Sequence, residues 1–423
     1  MSRIRKVVIV LSVLLCIVTV NACSEKGREN TKQSVDSQTI NSQPVNDQPV
    51  QTKQLTIERH PAAADFSSLY GFGKREELPN LFHDAYDIRS TDLTACDLTK
   101  EYSKLLKASF DSKTVWPDKL PENFDPDNIM ELYKNPGLHI RSLHEQGITG
   151  KGVGIAIIDQ PLLVDHIEYR DRLKYYSERI TVKDQDASMH GAAVASIAVG
   201  NSVGVAPEAE LYYIAEDFEL VLDDYGLLAE AINKLLDLNE TLPVKRRIRV
   251  ISISWGVDYK KGIGTKPLNE AYQRAKEEGV LIITTSIFKR ENMAFFGLDK
   301  YPLSDPDDFN SYTKIPNPAE PDMMKKMKRD YNISVPMNYR CTASPTGKED
   351  YVVYREGGLS WAAPYVAGVY ALACQVKPEI TYEEFWKLAA LTARTSHGSY
   401  EGEEYEAPYI IDPAAIIKEL KKE

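Results

Sequence analysis

Cysteine is scarce, with five in 423 residues and no Cys-x-x-Cys pair, which excludes a disulfide scaffold and the common zinc-site spacings. Positive charge is in deficit as well. The 51 Lys and Arg stand against 62 Asp and Glu, giving −11, or −14 without residues 1–22, which carry Arg3, Arg5 and Lys6 and no acid. So acidic a body repels nucleic acid and anionic lipid. The N-terminus lacks a full membrane span, since the apolar, charge-free run Val7–Val20 has fourteen residues where a crossing helix needs roughly twenty. No long internal repeat is visible. What is present is a chain that is 43% hydrophobic, long enough to bury one large core or two ordinary ones.

The first segment reads as an address. Arg3, Arg5 and Lys6 precede the apolar run, the order of an export signal over residues 1–22. Val20-Asn21-Ala22-Cys23 resembles the bacterial lipobox, which implies diacylglycerol on Cys23 and a place on the cell membrane or envelope outside the cytoplasm. Ordinary cleavage after Ala22, or an uncleaved helix, are the alternatives. Residues 23–55 are rich in Ser, Gln, Asn, Thr and Lys, lack aromatics and repeat Gln-Pro-Val, so they read as a disordered tether with a reach on the order of 30 Å. Residues 56–130, punctuated by prolines, form an extension whose architecture the sequence leaves open. Cys96, Cys341 and Cys374 remain in the body; an oxidising exterior permits a Cys96–Cys341 bridge, and Cys374 sits in an apolar stretch suited to a core.

Within residues 131–423, short apolar runs at Val153–Ile158, Leu211–Ile214, Val250–Ser254 and Val280–Thr285 predict buried strands. Helical patterns at 190–199, 227–238, 268–278, 360–375 and 382–392 alternate with them. The expected fold class is α/β, a parallel sheet with helices on both faces and chemistry at the carboxyl ends of the strands. Residues 289–350, rich in Asp, Asn, Pro and Lys, read as irregular.

Three segments carry chemistry. Gly150-Lys151-Gly152-Val153 leads into a strand that ends on Asp159; His190-Gly191-Ala192 opens a helix of small residues that runs on to Gly204-Val205-Ala206-Pro207-Glu208-Ala209; and Gly357-Gly358-Leu359-Ser360-Trp361-Ala362-Ala363-Pro364 places a serine in the first turn of an apolar helix. Singly, each is an ordinary strand end, helix start or N-cap. In this order, over residues 136–418, they resemble the subtilisin-like serine protease family, the subtilases. The resemblance implies a triad of Asp159, His190 and Ser360, and an extended peptide or protein as substrate, bound by strand addition along Ser254-Trp255-Gly256.

The chain departs from the family at Gln160-Pro161, Ala192 and Leu359, and at Thr284-Thr285-Ser286-Ile287-Phe288, where Phe288 falls opposite the Asn that completes the family's oxyanion hole. Asn292, or the Ser360 N–H helped by a Thr285 or Ser286 hydroxyl, are the substitutes the sequence offers. Trp255 narrows or reshapes the pocket for the residue before the scissile bond. Two readings follow: a membrane-tethered serine endopeptidase, or a catalytically silent subtilase-fold lipoprotein that binds a protein or peptide. No cofactor is identified; structural calcium is common in the family, but Ser304-Asp305-Pro306-Asp307-Asp308 has no recognisable calcium-loop pattern, and no metal ligand is assigned. Glu216, Asp217, Asp223 and Asp224 read as solvated carboxylates that would favour basic peptide residues if they lined the cleft.

Overall fold

Runs that are apolar at every position need cover on both faces, and the computed structural model shows how it is supplied. It describes residues 55–66, 73–78, 86–218, 221, 224–287, 290–314, 331–400 and 403–422. The export segment, Cys23, all of the tether before Leu55, and Phe288 lie outside the described residues. Five parallel strands form the central sheet in the spatial order Leu173–Glu178, Glu210–Ala215, Gly154–Asp159, Ile248–Ile253 and Leu281–Thr284. Along the middle strand Ile155 and Ile157 pack toward the helices Met189–Val199 and Leu359–Val376. Ala156 and Ile158 pack toward Tyr225–Thr241 and Thr265–Glu277 on the other face. Strict alternation along one strand therefore feeds two cores, as expected where a parallel sheet is covered twice.

The edge strand Leu173–Glu178 is absent from the sequence reading because Lys174, Ser177 and Glu178 interrupt its apolar character, and an edge needs less apolar cover. Its open side is closed by Thr56–Glu58, which adds to it in parallel: Glu58 N–H donates to the Tyr176 carbonyl and Tyr176 N–H to the Thr56 carbonyl, each at 3.0 Å.

Residues 289–350 are not irregular throughout. Met293–Lys300, Tyr312–Lys314 and Tyr331–Pro336 join Arg394–Tyr400 and Glu403–Ile410 in a second, mixed five-stranded sheet. Arg340–Ala343 pairs with Tyr351–Tyr354 in a hairpin. The extension has an architecture of its own: Tyr86–Asp87 and Ala108–Asp111 continue that hairpin into a four-stranded sheet, with Phe110 opposite Val353 and Asp111 opposite Val352. Cys96 and Cys341 lie in the apolar cluster between extension and body, and both are free thiols, as is Cys374 in the Ser360 helix. No Cys96–Cys341 bridge is made. Burial pushes the Cys374 thiol up to about 11, so it stays an inert core residue.

One buried cation makes a stability prediction. Lys300 is 4% exposed, donates to the Ser304 carbonyl at 3.1 Å and lies 4.5 Å from the Tyr133 ring centre. Burial lowers its pKa to about 7. The folded state therefore binds fewer protons than the unfolded chain between about pH 7 and pH 10.5, and stability rises with pH across that window. Lys300→Met should flatten this dependence and stabilise the protein at pH 7 and below, with an upper bound on the order of 5 kcal/mol. Urea unfolding of both proteins at pH 7 and pH 10 tests it; equal differences at the two pH values would contradict it.

Candidate active site

The central strand ends on Asp159, whose side chain is fully buried. Its Oδ1 accepts from the Gln160 N–H at 2.8 Å and from His190 Nδ1 at 2.6 Å. Its Oδ2 is buried with no hydrogen-bond partner among the described residues. Since an ionised carboxylate only accepts, the short contact fixes the His190 tautomer with its proton on Nδ1 and leaves Nε2 as a base.

His190 is held by the way its helix starts. Ser188 is the N-cap, its Oγ accepting from His190 N–H at 3.2 Å. Gly191 allows the helix to sit directly on the Asp159 loop: a Cβ there would lie 2.5 Å from the Gln160 carbonyl oxygen, 2.7 Å from Tyr213 Oη and 2.9 Å from the Pro161 carbonyl oxygen. Burial, with the Asp159 charge second, holds the Tyr213 phenol well above its ordinary range. It therefore stays a neutral donor, and it bonds the Gln160 carbonyl at 2.5 Å.

Ser360 occupies the first turn of Leu359–Val376, after Gly358 at φ 64°, ψ 175°, backbone that favours glycine. Ser360 Oγ donates to the Ser254 carbonyl at 3.2 Å, and Ser254 Oγ donates to the Ser360 carbonyl at 2.8 Å. The second bond has a local cause. Pro364, four residues on, has no N–H to give the Ser360 carbonyl, and Ser254 supplies the missing donor.

The three segments meet around one imidazole. The Trp361 ring lies 5.3 Å from His190, centre to centre, so the residue after the serine packs against the imidazole. On another side Phe218 stands edge-on at 6.2 Å, and Phe218 in turn contacts Trp255 at 4.3 Å. Of the residues expected along the substrate edge, Ser254 is engaged with Ser360. Trp255 N–H donates to Ile253 and its carbonyl accepts from Thr285 N–H. Gly256 is left with its backbone groups open among the described residues, next to the Thr285 side chain.

The oxyanion candidates fare differently. Asn292 is exposed, one residue before the strand Met293–Lys300 of the second sheet. The Ser286 hydroxyl is committed to Val257, accepting from its N–H at 2.7 Å and donating to its carbonyl at 2.9 Å, which removes it as a donor. Glu216 is fully buried against Arg179 and Thr181, so it is neither solvated nor open to a peptide. Asp224 caps the helix at Gly226, and Asp223 lies outside the described residues. In the Asp305–Asp308 loop, Asp307 accepts from His139 N–H and Asn135 Nδ2, and Asp308 from Asn310 N–H. Phe218 and Trp361 were missed as site residues. A tryptophan directly after the serine was the one available signal; Phe218 had none.

Residues 150–315, which include Asp159 and His190, match the subtilase family, Peptidase_S8. A probable subtilase-type serine protease of Deinococcus radiodurans is 26% identical over 304 residues, 62% of this chain and 39% of the relative. The subtilisin-like protease PopC of Myxococcus xanthus is 26% identical over 277 residues, 56% of this chain and 54% of PopC. The chain thus spans less than two thirds of the length of either. Among solved structures, the prenylagaramide maturation protease PagA is 18% identical with a TM-score of 0.45, covering 67% of this chain and 99% of that one. Over residues 150–315, this chain is similar to the subtilase family of serine peptidases.

Proposed function

We propose that the protein is a membrane-tethered serine endopeptidase that hydrolyses peptide bonds through Asp159, His190 and Ser360. The observation that carries this is the 2.6 Å contact between Asp159 and His190 Nδ1, with the serine-bearing turn packed on the same ring through Trp361. A buried carboxylate orienting an imidazole, with a serine at a helix N-terminus one residue before the ring that packs on that imidazole, is an arrangement for activating a hydroxyl.

In the first step Ser360 Oγ turns from the Ser254 carbonyl, giving up a bond worth about 1 kcal/mol. It attacks the scissile carbonyl carbon while its proton passes to His190 Nε2. The C–N bond then breaks, and His190 returns that proton to the leaving amine. Water, deprotonated by the same imidazole, releases the acyl group as a carboxylic acid and restores the serine. Asp159 stabilises the imidazolium formed in each half. The Ser360 N–H, at the positive end of an 18-residue helix, is the backbone donor for the developing oxyanion. Removing one such donor costs about 10²- to 10³-fold, so a site without the family's Asn is slowed, not silenced. An extended peptide is the proposed partner, pairing with Gly256, and the acidic body disfavours nucleic acid.

A fluorophosphonate probe applied to membranes from the producing cell tests the reading. It should label a membrane-bound species on Ser360, with a diacylglyceryl Cys23 at its N-terminus by mass spectrometry and no labelling of Ser360→Ala. Folded protein that stays unlabelled would support the silent peptide-binding alternative, and label confined to a soluble, unlipidated form would contradict the tether.

A further inference from the structure

We propose that the N-terminal extension is a permanent part of the catalytic apparatus, in which Arg89 acts through Tyr354 and Trp361 as a positioning residue for the His190 imidazole. The proposal rests on the peptidase reading and deepens it: residues 56–130 stand where a removable pro-segment would stand, and their packing assigns them the opposite role.

The path is short and every step is a contact. Arg89, 9% exposed, is clamped by Asp87 through Nε at 2.8 Å and Nη2 at 2.5 Å. Its Nη1 donates to Tyr354 Oη at 3.2 Å, and its guanidinium carbon stands 5.3 Å from the Tyr354 ring centre. Tyr354 meets Trp361 edge-on at 5.4 Å, and Trp361 meets His190 at 5.3 Å. The indole has no room to swing away: a Cβ on Gly357 would lie 2.0 Å from Trp361 Cδ1, so the ring already rests on that backbone. With Gly357 on one side and Tyr354 on another, the indole is a fixed wall for the imidazole. Tyr354 is the part of that wall that the extension holds.

Two further contacts tie the extension to the same region. Ser109 Oγ accepts from the Arg355 N–H at 3.1 Å, between the hairpin and the serine turn. The extension's apolar cluster, including Ile88, Leu93 and Phe110, also takes in Val203 from the turn after the His190 helix and Val353 from the strand before Ser360. Cutting the extension away would expose this cluster and break the Phe110–Val353 and Asp111–Val352 pairing. Detachment during maturation therefore dismantles the serine turn's support instead of uncovering a cleft.

The test is the rate of Ser360 phosphonylation by a fluorophosphonate, with kcat and KM on a denatured protein substrate, in purified full-length variants. Arg89→Met should slow phosphonylation and lower kcat about 10-fold with KM within about 2-fold, the pattern of a displaced base. Tyr354→Leu, which loses the ring, should fall at least as far. Tyr354→Phe, which keeps the ring face, should stay within about 3-fold of wild type. If Arg89→Met fails to fold, Ser109→Ala removes one hydrogen bond and should still give a measurable loss in kcat at unchanged KM. Folded Arg89→Met or Ser109→Ala, together with Tyr354→Leu, labelled at the wild-type rate would overturn the proposal, as would an active mature species lacking residues 86–130 by mass. A wild-type protein that takes no label removes the peptidase reading itself, and this proposal with it.

Discussion

Asp159→Asn is expected to lower kcat about 10⁴-fold while leaving the fold intact. The reasons are the lost charge and the tautomer. In the native site Oδ1 accepts two bonds, from Gln160 N–H and from His190 Nδ1 at 2.6 Å. An amide in its place either keeps its oxygen at the Oδ1 position with both bonds, and then lacks the negative charge that stabilises the imidazolium, or turns its NH₂ toward the ring and the Gln160 N–H and loses both. With NH₂ facing Nδ1 the imidazole carries its proton on Nε2 and has no lone pair for the serine. Because Asp159 is fully buried and His190 one fifth exposed, water does not replace the lost acceptor easily. Stability should change little, since the buried, unpartnered Oδ2 already costs the folded state and an amide nitrogen can occupy the same volume. Steady-state kinetics with a thermal melt check both halves; a folded Asp159→Asn variant within tenfold of wild type would refute the assignment.

Gly191→Ala should cost at least about 10²-fold in kcat/KM, although alanine is intrinsically the better helix former by about 1 kcal/mol. Two effects compete, and distance decides between them. The added Cβ would sit 2.5 Å from one backbone oxygen and 2.9 Å from another, with Tyr213 Oη at 2.7 Å. Carbonyls of a tight loop cannot yield as a flexible side chain does, so the helix must move off the loop, at about 1–3 kcal/mol. That movement separates Asp159 from His190, the pair on which the proposed chemistry depends. The variant should therefore lose activity and melting temperature together. Wild-type kinetics in Gly191→Ala would show that the helix and loop are not in the contact described.

Where each feature could be read from sequence has a physical pattern. The four strands Val153–Ile158, Leu211–Ile214, Val250–Ser254 and Val280–Thr285 were visible because burial on both faces demands unbroken apolar runs, and they lie within or overlap strands of the structure. Leu173–Glu178 and the second sheet were not. Leu173–Glu178 and Arg394–Tyr400 mix polar and apolar residues, a pattern that a loop also gives, whereas the buried apolar run of Met293–Lys300 is masked in sequence by the polar stretches around it. Of the candidate site, Asp159, His190 and Ser360 stand in local wording that resembles the family's, which is what nominates them. The contacts that hold them do not, because Arg89 and Tyr354 are separated by 265 positions and no periodicity links them. The Ser286 hydroxyl, equal to Thr285 in sequence, is excluded only once its two bonds to Val257 are seen.

The measurement that tests the central claim most directly is the second-order rate constant for phosphonylation of Ser360 in wild type, His190→Ala, Asp159→Asn and the double variant. If the three side chains form one catalytic unit, His190→Ala alone should slow labelling at least about 10³-fold, and adding Asp159→Asn should cost no more than about 3-fold beyond that. Losses that multiply, or a folded His190→Ala protein labelled at the wild-type rate, would show that the carboxylate, imidazole and hydroxyl act apart.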